Sequence, residues 1–284
     1  MISAKLLVLT MNLTVLSLFI AFTGYSVQNI SQATQKLGFL KMKENKKNGM
    51  LVWGGATIGT GLSTLILLAA VSIGQVSLVG AMAGTGLISM TVYSGLILKE
   101  QIDRNEIIGV LLILIAAVFI GLFAQNSSES VIEIKLLTLK LIIVSVLYCT
   151  LWLIFRKQKK ALCITLGGFS GALGGFVSQF QKISTAKSIG GDLVASVDPG
   201  LGVLINPYTL FWILLSVCSM AVLQFAHKNG QPMQVIPFFS ANFILIPVIG
   251  GVTCFGEVLH PVQWAGVGVI ITGVLLITIK SKRK

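Results

Sequence analysis

The sequence of 284 residues is poor in charged side chains, which make up 11% of the chain against 55% hydrophobic residues. Soluble domains carry about 25% charged residues, because polar groups must cover a surface in water. A globule of this composition would expose much more apolar area than the roughly few hundred Å² found on soluble monomers. The shortage of charge therefore excludes an ordinary soluble domain and indicates a protein solvated by lipid.

Acidic residues are the scarcer charged type, with nine Asp and Glu against 21 Lys and Arg and a net charge of +12. A basic chain can bind nucleic acid, but no basic stretch with interleaved aromatic residues is present. The basic residues form short clusters between apolar runs, as in the cytoplasmic loops of membrane proteins. We therefore expect no nucleic-acid partner.

Metal-binding and disulfide patterns are also lacking. The four cysteines fall inside apolar runs without CxxC or Cys/His spacing: Cys149, Cys163, Cys218 and Cys254. Such spacing predicts neither a zinc site nor a disulfide framework, so we expect these residues to pack as small apolar side chains. No cofactor is predicted.

Long apolar runs make up most of the chain. A helix needs about 20 predominantly apolar residues to cross the hydrocarbon layer. Nine runs approach this length: 6–29, 50–72, 76–98, 107–124, 136–155, 161–183, 209–226, 233–255 and 262–280. The sequence therefore predicts an all-α polytopic membrane protein with about nine transmembrane helices.

The basic residues also predict an orientation. When successive loops are assigned to alternate sides, most of the 21 basic residues fall on one side. The other side holds only Lys5, Lys135, Lys140, Lys182 and Lys187. Because cytoplasmic loops carry the excess of Lys and Arg, the N-terminus is expected outside and the C-terminus in the cytoplasm.

An internal repeat is indicated by a fixed offset of 157 positions, at which Glu100 and Gly109 recur as Glu257 and Gly266. The same offset carries spans two to four onto spans seven to nine. We predict a first repeat at 1–125, a connecting helix with a basic loop at 126–160, and a second repeat at 161–284. A single connecting helix inverts the second repeat, as in many secondary transporters.

Several motifs support a resemblance to a known family. They are Glu100 with Gly109, Glu257 with Gly266, Val235-Ile236-Pro237, Gly250-Gly251 and Phe255-Gly256-Glu257. With these residues the chain resembles the drug/metabolite transporter superfamily, EamA-like. The nine-helix layout is most similar to its NIPA-type magnesium transporter branch. The resemblance implies a transporter fold, and it implies magnesium or another small solute or cation as substrate.

Polar residues inside apolar spans are candidates to line a substrate path. Gln28, Gln32 and Gln35 recur at i, i+4 and i+7, which gives one polar stripe on a helix. Further candidates are Gln179, Gln181, Lys182, Gln224 and Asn242, together with Pro237, which could break or kink its helix. The alternative for each polar residue is interhelical hydrogen bonding without a role in transport.

The gate and hinge candidates are Glu100, Glu257, Gly109 and Gly266. The inverted repeat would place Glu100 at the cytoplasmic face and Glu257 at the outer face. Either could instead cap the helix that follows it, because a carboxylate stabilises the positive end of a helix. The metal ligands, if any, stay undetermined.

Three classes of function can be compared. The first is a transporter that works by alternating access on a small solute or on a divalent cation such as magnesium. The second is a non-transporting membrane scaffold. The third, an enzyme acting on lipid, lacks a convergent acid–base or metal cluster, so no enzymatic activity is expected. The expected partners are the lipid bilayer and a small-molecule or ion substrate, and a homodimer stays open.

Overall fold

The computed structural model describes residues 2–97, 104–123, 132–189, 192–194, 206–229 and 232–278. Ten α-helices lie within these ranges: α1 Ile2–Glu44, α2 Lys46–Ile73, α3 Val76–Ala81, α4 Gly86–Leu96, α5 Arg104–Leu122, α6 Ile134–Phe155, α7 Lys159–Ser184, α8 Pro207–Asn229, α9 Pro232–Cys254 and α10 Pro261–Thr278. A short antiparallel hairpin pairs β1, Lys187–Ile189, with β2, Asp192–Val194.

The helices coincide with the nine predicted spans. Helix α3, a 3-10 segment at Met82–Thr85 and α4 together form one unit, Val76–Leu96, which we call the third span. In the described part of the chain, six helical segments are long and apolar enough to cross a membrane, and three shorter apolar helices occupy the remaining predicted positions. This confirms a polytopic membrane protein whose described residues are helical except for the short hairpin and the connecting loops.

Burial differs sharply between helices, as expected when lipid rather than water solvates the exterior. In the most apolar 18-residue window of each helix, the share buried inside the protein is 6% for α6 and 78% for α7. The exposed side chains of α6 include Ile142, Ile143 and Val146. An apolar exterior costs nothing in hydrocarbon, so α6 is a peripheral, lipid-facing helix and α7 is central to the second half.

The structure departs from the sequence prediction at four places. Helix α1 continues to Glu44, beyond the predicted end at 29. The third span contains the 3-10 segment, and the hairpin lies between the predicted spans 161–183 and 209–226. Helix α9 is one uninterrupted helix through Pro237, so of the break or kink expected there, the break does not occur. A proline removes a single N–H donor, and hydrogen bonds at neighbouring positions can keep a membrane helix continuous.

Glycines let α9 lie directly against α7. A Cβ added at Gly167 would lie 2.8 Å from the carbonyl oxygen of Val235, and one at Gly171 would lie 2.8 Å from the carbonyl carbon of Phe239. Both distances are too short for a real side chain. The small-residue face of α7 therefore permits backbone-to-backbone packing, as such faces do in membrane helix pairs.

Helices α5 and α10 pack against each other in opposite directions. A Cβ added at Gly273 would lie 2.8 Å from the carbonyl oxygen of Gly109, whereas one at Gly266 would lie 3.5 Å from that of Ala116. The start of α5 therefore meets the end of α10, and the end of α5 meets the start of α10. The pair is antiparallel.

Candidate functional site

A cavity of about 30 Å³ lies between α1, the third span and α9. Its lining is Tyr25, Gln28, Asn29 and Gln32 of α1, Ala83, Gly84 and Leu87 of the third span, and Phe239, Ser240, Phe243 and Ile244 of α9. A water molecule needs about 10–15 Å³ by this kind of measure, so the cavity has room for about two. A larger solute would require the surrounding helices to separate.

The wall formed by α1 is amide-rich. Gln28 and Gln32, two members of the predicted stripe, line the cavity together with Asn29. The Asn29 amide nitrogen donates to the carbonyl oxygen of Tyr25 at 2.9 Å. The amide oxygen of Asn29 takes no part in this bond. These amides offer both donors and acceptors to a polar solute or to the water around an ion.

Aromatic rings form the opposite wall. Phe239 and Phe243 are stacked with centroids 5.3 Å apart, and Tyr25 meets Phe243 edge-on at 6.0 Å. The sequence prediction missed these residues. For Tyr25 a usable signal was present, because Tyr25, Gln28, Asn29 and Gln32 follow the i, i+3, i+4, i+7 spacing of one helix face. No such local signal marks Phe239 and Phe243.

On one side of the cavity, the third span and α9 pack tightly. The contacting pairs are Gly84 with Ile244, Gly80 with Pro247, and Ser77 with Gly251. Residue numbers fall along one helix as they rise along the other, so this is an antiparallel seam. A Cβ added at Gly80 would lie 2.5 Å from Cβ of Pro247, and one at Gly251 would lie 2.8 Å from the backbone nitrogen of Ser77. The seam closes the cavity toward the start of the third span.

At the far end of this seam, Glu257 caps the third span. Its Oε1 accepts the backbone N–H of Val76 at 2.6 Å, and its Oε2 accepts the N–H of Ser77 at 2.8 Å and also the Ser77 hydroxyl. Burial raises the pKa of the Glu257 carboxyl, while the hydrogen bonds from Ser77 and Val76 and the charge of Lys182 oppose that rise. The ionised form of Glu257 is therefore stabilised by these hydrogen bonds and by the charge of Lys182.

This geometry corrects one sequence interpretation. As a cap, Glu257 was expected to serve the following helix, α10, but its partners lie 180 and 181 positions earlier. Gly256 has a φ of 59°, and the N–H groups of Phe255 and Glu257 both donate to the carbonyl oxygen of Gly251. The left-handed glycine ends α9 and turns Glu257 toward the third span, whose positive end attracts the carboxylate.

Lys182 binds the same turn from the other side. Its ammonium donates to the carbonyl oxygens of Ser72 at 3.2 Å and Gly74 at 2.9 Å, at the end of α2. The side chain is only 4% exposed. Cations are stabilised near the C-terminal end of a helix, so Lys182 and Glu257 each match the helix end that they contact.

Three other predicted residues make interhelical contacts away from the cavity lining. Gln35 donates to the hydroxyls of Thr57 and Thr60 on α2, at 3.3 Å each. Gln179 donates to the carbonyl oxygen of Ile246 at 3.2 Å, and Gln181 donates to that of Thr64 at 3.2 Å. These side chains tie helices together, which was the alternative to a role in transport.

The remaining candidates are dispersed. Asn242 accepts from the Tyr148 hydroxyl at 3.1 Å, Gln224 is exposed on α8, and Pro237 lies within α9. Gly109 and Gly266 lie buried in the pairing of α5 with α10. Glu100 lies outside the described residues. Within the described ranges, no three or more His, Cys, Asp or Glu side chains form a group that could hold a metal ion.

Taken together, fold and site define a multi-pass membrane protein with a small cavity that is lined by amide and aromatic side chains from both halves of the chain. The sequence is similar to a "Probable magnesium transporter NIPA9" of Arabidopsis thaliana, with 25% identity over 290 aligned positions that cover 92% of this chain and 79% of that protein. This similarity supports a place among membrane transporters. No protein-family model matches the chain. No solved structure matches it either.

Proposed function

We propose that this protein is a membrane transporter, not an enzyme, and that it moves a cation through the cavity between α1, the third span and α9. The observation that carries the proposal is the cavity itself, which is lined by both halves of the chain and has amide side chains on its α1 wall. Small-molecule paths in transporters lie at such repeat interfaces. The similarity to a probable magnesium transporter makes Mg²⁺ the first candidate.

The cavity chemistry is compatible with hydrated Mg²⁺. This ion gives up its water reluctantly and usually keeps several water ligands, so a path for it needs acceptors for water rather than a cage of carboxylates. Gln28, Asn29 and Gln32 offer amide oxygens of that kind. A membrane potential supplies about 2.3 kcal/mol per charge per 100 mV, so entry of a divalent cation needs no coupling ion.

Alternating access through two inverted repeats belongs to the same proposal. The predicted offset of 157 carries Gly109 onto Gly266 and Ala116 onto Gly273. It therefore converts the contact of Gly109 with Gly273 into that of Gly266 with Ala116. Two contacts that exchange in this way are expected of a two-fold relation, in which residue i of one copy meets residue j of the other and j meets i. This supports repeats at 1–125 and 161–284. The orientation proposed with them, with the C-terminus in the cytoplasm, rests on the basic loops alone.

Uptake into proteoliposomes tests the proposal. Vesicles with a trapped Mg²⁺ indicator and an inside-negative potential should take up Mg²⁺ faster with the protein than without it. Gln28→Ala and Gln32→Ala should slow uptake, because each removes an amide from the cavity wall. Gln224→Ala is the matched control, since it removes the same group from an exposed position on α8. Absence of flux in the wild type would refute cation transport.

A second candidate is a neutral or organic solute, because aromatic rings and amides line the cavity and none of the described lining residues is acidic. Aromatic faces also attract organic cations. The same vesicles, loaded with a panel of labelled neutral and cationic metabolites, distinguish the two classes. Flux of a metabolite without flux of Mg²⁺ would favour the second candidate, and no flux of any solute would favour a scaffold.

A further inference from the structure

The turn between α2 and the third span is held by two oppositely charged side chains, a buried lysine and a half-buried glutamate. Lys182, at the end of α7, binds the carbonyl oxygens of Ser72 and Gly74. Glu257, in the loop between α9 and α10, binds the N–H groups of Val76 and Ser77. Both charges come from the second half of the chain, and the turn that they hold belongs to the first half.

The two charges act through the turn rather than on each other. No direct ion pair joins these two described side chains, although the charge of Lys182 influences the carboxyl of Glu257. The peptide groups of residues 72–77 lie between them and hydrogen-bond to both. A charge removed from water is tolerated only while its hydrogen-bonding partners are in place, so loss of either side chain weakens the hold of the other.

The turn is also the end of the antiparallel seam that closes the cavity. Ser77 lies against Gly251, and the seam continues through Gly80 and Pro247 to the cavity wall at Gly84. A Cβ at Gly251 would collide with the Glu257 carboxylate as well as with Ser77, so the absence of a side chain there lets the carboxylate reach the turn. The contacts of Lys182 and Glu257 with the turn are therefore continuous with the seam.

We propose that Lys182 and Glu257 form a latch that keeps the third span packed on α9. Release of the 72–77 turn then opens the cavity toward the face of the membrane at which this turn lies. The inference rests on the proposed transport function, to which it adds the gate. Lys182 and Glu257 are positioning residues, because they hold the turn and do not line the cavity.

The test uses a reporter that does not depend on transport. Val71, which is fully buried and directly precedes the 72–77 turn, is replaced by cysteine in a variant lacking the four native cysteines. The full chain in nanodiscs is then labelled with a polar maleimide, so that both faces are accessible. Lys182→Met and Glu257→Gln should each raise the labelling rate about tenfold or more, since a hydrogen bond to a charged group changes an equilibrium by about that factor.

Matched controls remove the same charges elsewhere. Lys135→Met and Glu133→Gln change exposed residues near the start of α6 and should leave labelling unchanged. Lys182→Arg and Glu257→Asp keep the charge and should restore most of the protection. If Lys182→Met or Glu257→Gln does not fold, Ser77→Ala, which removes only one hydroxyl contact, should still raise labelling measurably.

The outcomes separate the latch from the transport proposal. Faster labelling in the latch variants supports the latch even if no solute is transported, in which case only the proposed function fails. Unchanged labelling in folded Lys182→Met and Glu257→Gln overturns the latch, whatever the uptake assay shows. Equal increases in the two exposed-charge controls would also overturn it, because the effect would then be a general loss of stability.

Discussion

Gly273 of α10 lies against the backbone carbonyl of Gly109 on α5, and seven residues further along α5 the same contact recurs between Ala116 and Gly266. Neither contact leaves room for a bulky side chain. The two contacts exchange under the predicted 157-residue offset, as the proposed relation between the two halves requires.

Disulfide cross-linking tests the antiparallel pairing. In a variant without native cysteines, the pair Gly109→Cys with Gly273→Cys and the pair Ala116→Cys with Gly266→Cys should both form disulfides on mild oxidation. A disulfide requires Cα atoms about 4.4–6.8 Å apart. Gly109→Cys with Gly266→Cys should not cross-link, because seven residues span about 10 Å along a helix. Gel mobility under non-reducing conditions reads the result, and efficient cross-linking of the third pair would contradict the antiparallel arrangement.

Much of this fold could be predicted from the sequence because lipid imposes a simple length requirement. A span must be about 20 apolar residues long, and its start and end are marked where polar residues return. The runs 50–72 and 136–155 accordingly coincide with α2 and α6 to within a few residues. The 3-10 segment inside the third span left no such mark, since it changes the backbone without changing hydropathy.

The candidate site could be predicted only in part. Gln28 and Gln32 were identified by spacing along one helix, which is local information. The partners of Glu257 and Lys182 depend on which helix ends meet in space, and these lie more than 100 positions away in the chain. A carboxylate near a helix end predicts that some helix is capped, but it does not predict which one.

Gly251→Ala should destabilise the protein. The added methyl group would collide with the Glu257 carboxylate and with Ser77, so the cap on the third span would be displaced. Loss of hydrogen bonds to a charged group costs about 1.5–3 kcal/mol. Thermal unfolding in detergent measures the change.

Gly268→Ala is the control for this substitution, because a Cβ at Gly268 meets nothing within 4 Å. Alanine is favoured over glycine in a helix interior by roughly 0.5–1 kcal/mol, so this variant should unfold at an equal or higher temperature. Equal destabilisation by both substitutions would show that the lost stability of Gly251→Ala does not come from the lack of space around Gly251.

The predicted glutamine stripe should divide into two functional groups. Gln35→Ala removes hydrogen bonds to Thr57 and Thr60, and interhelical bonds of this kind contribute about 0.6 kcal/mol each on average, up to about 1.7. It should lower the unfolding temperature and leave the KM for uptake unchanged. Gln32→Ala should do the reverse, with a higher KM and little change in unfolding. Identical behaviour of the two variants would place both side chains in the same role.

A reciprocal pair of hydrogen bonds joins α7 to α8 and gives the last prediction. The Ser170 hydroxyl donates to the carbonyl oxygen of Ser219 at 2.7 Å, and the Ser219 hydroxyl donates to that of Ser170 at 2.9 Å. Ser170→Ala and Ser219→Ala should each destabilise the protein by about 0.5–1.5 kcal/mol, the usual net value of a hydrogen bond.

The control for the serine pair is Ser216→Ala. The Ser216 hydroxyl donates to the carbonyl oxygen of Trp212 within α8, so its loss breaks no contact between helices. We expect this variant to unfold within a few tenths of a kcal/mol of the wild type. The two hydroxyl oxygens also lie 3.3 Å from each other, so they belong to one hydrogen-bond network, and the loss in the double variant should differ from the sum of the two single losses. Losses that add to within about 0.5 kcal/mol would contradict this coupling and would show that the two bonds act independently in holding α7 against α8.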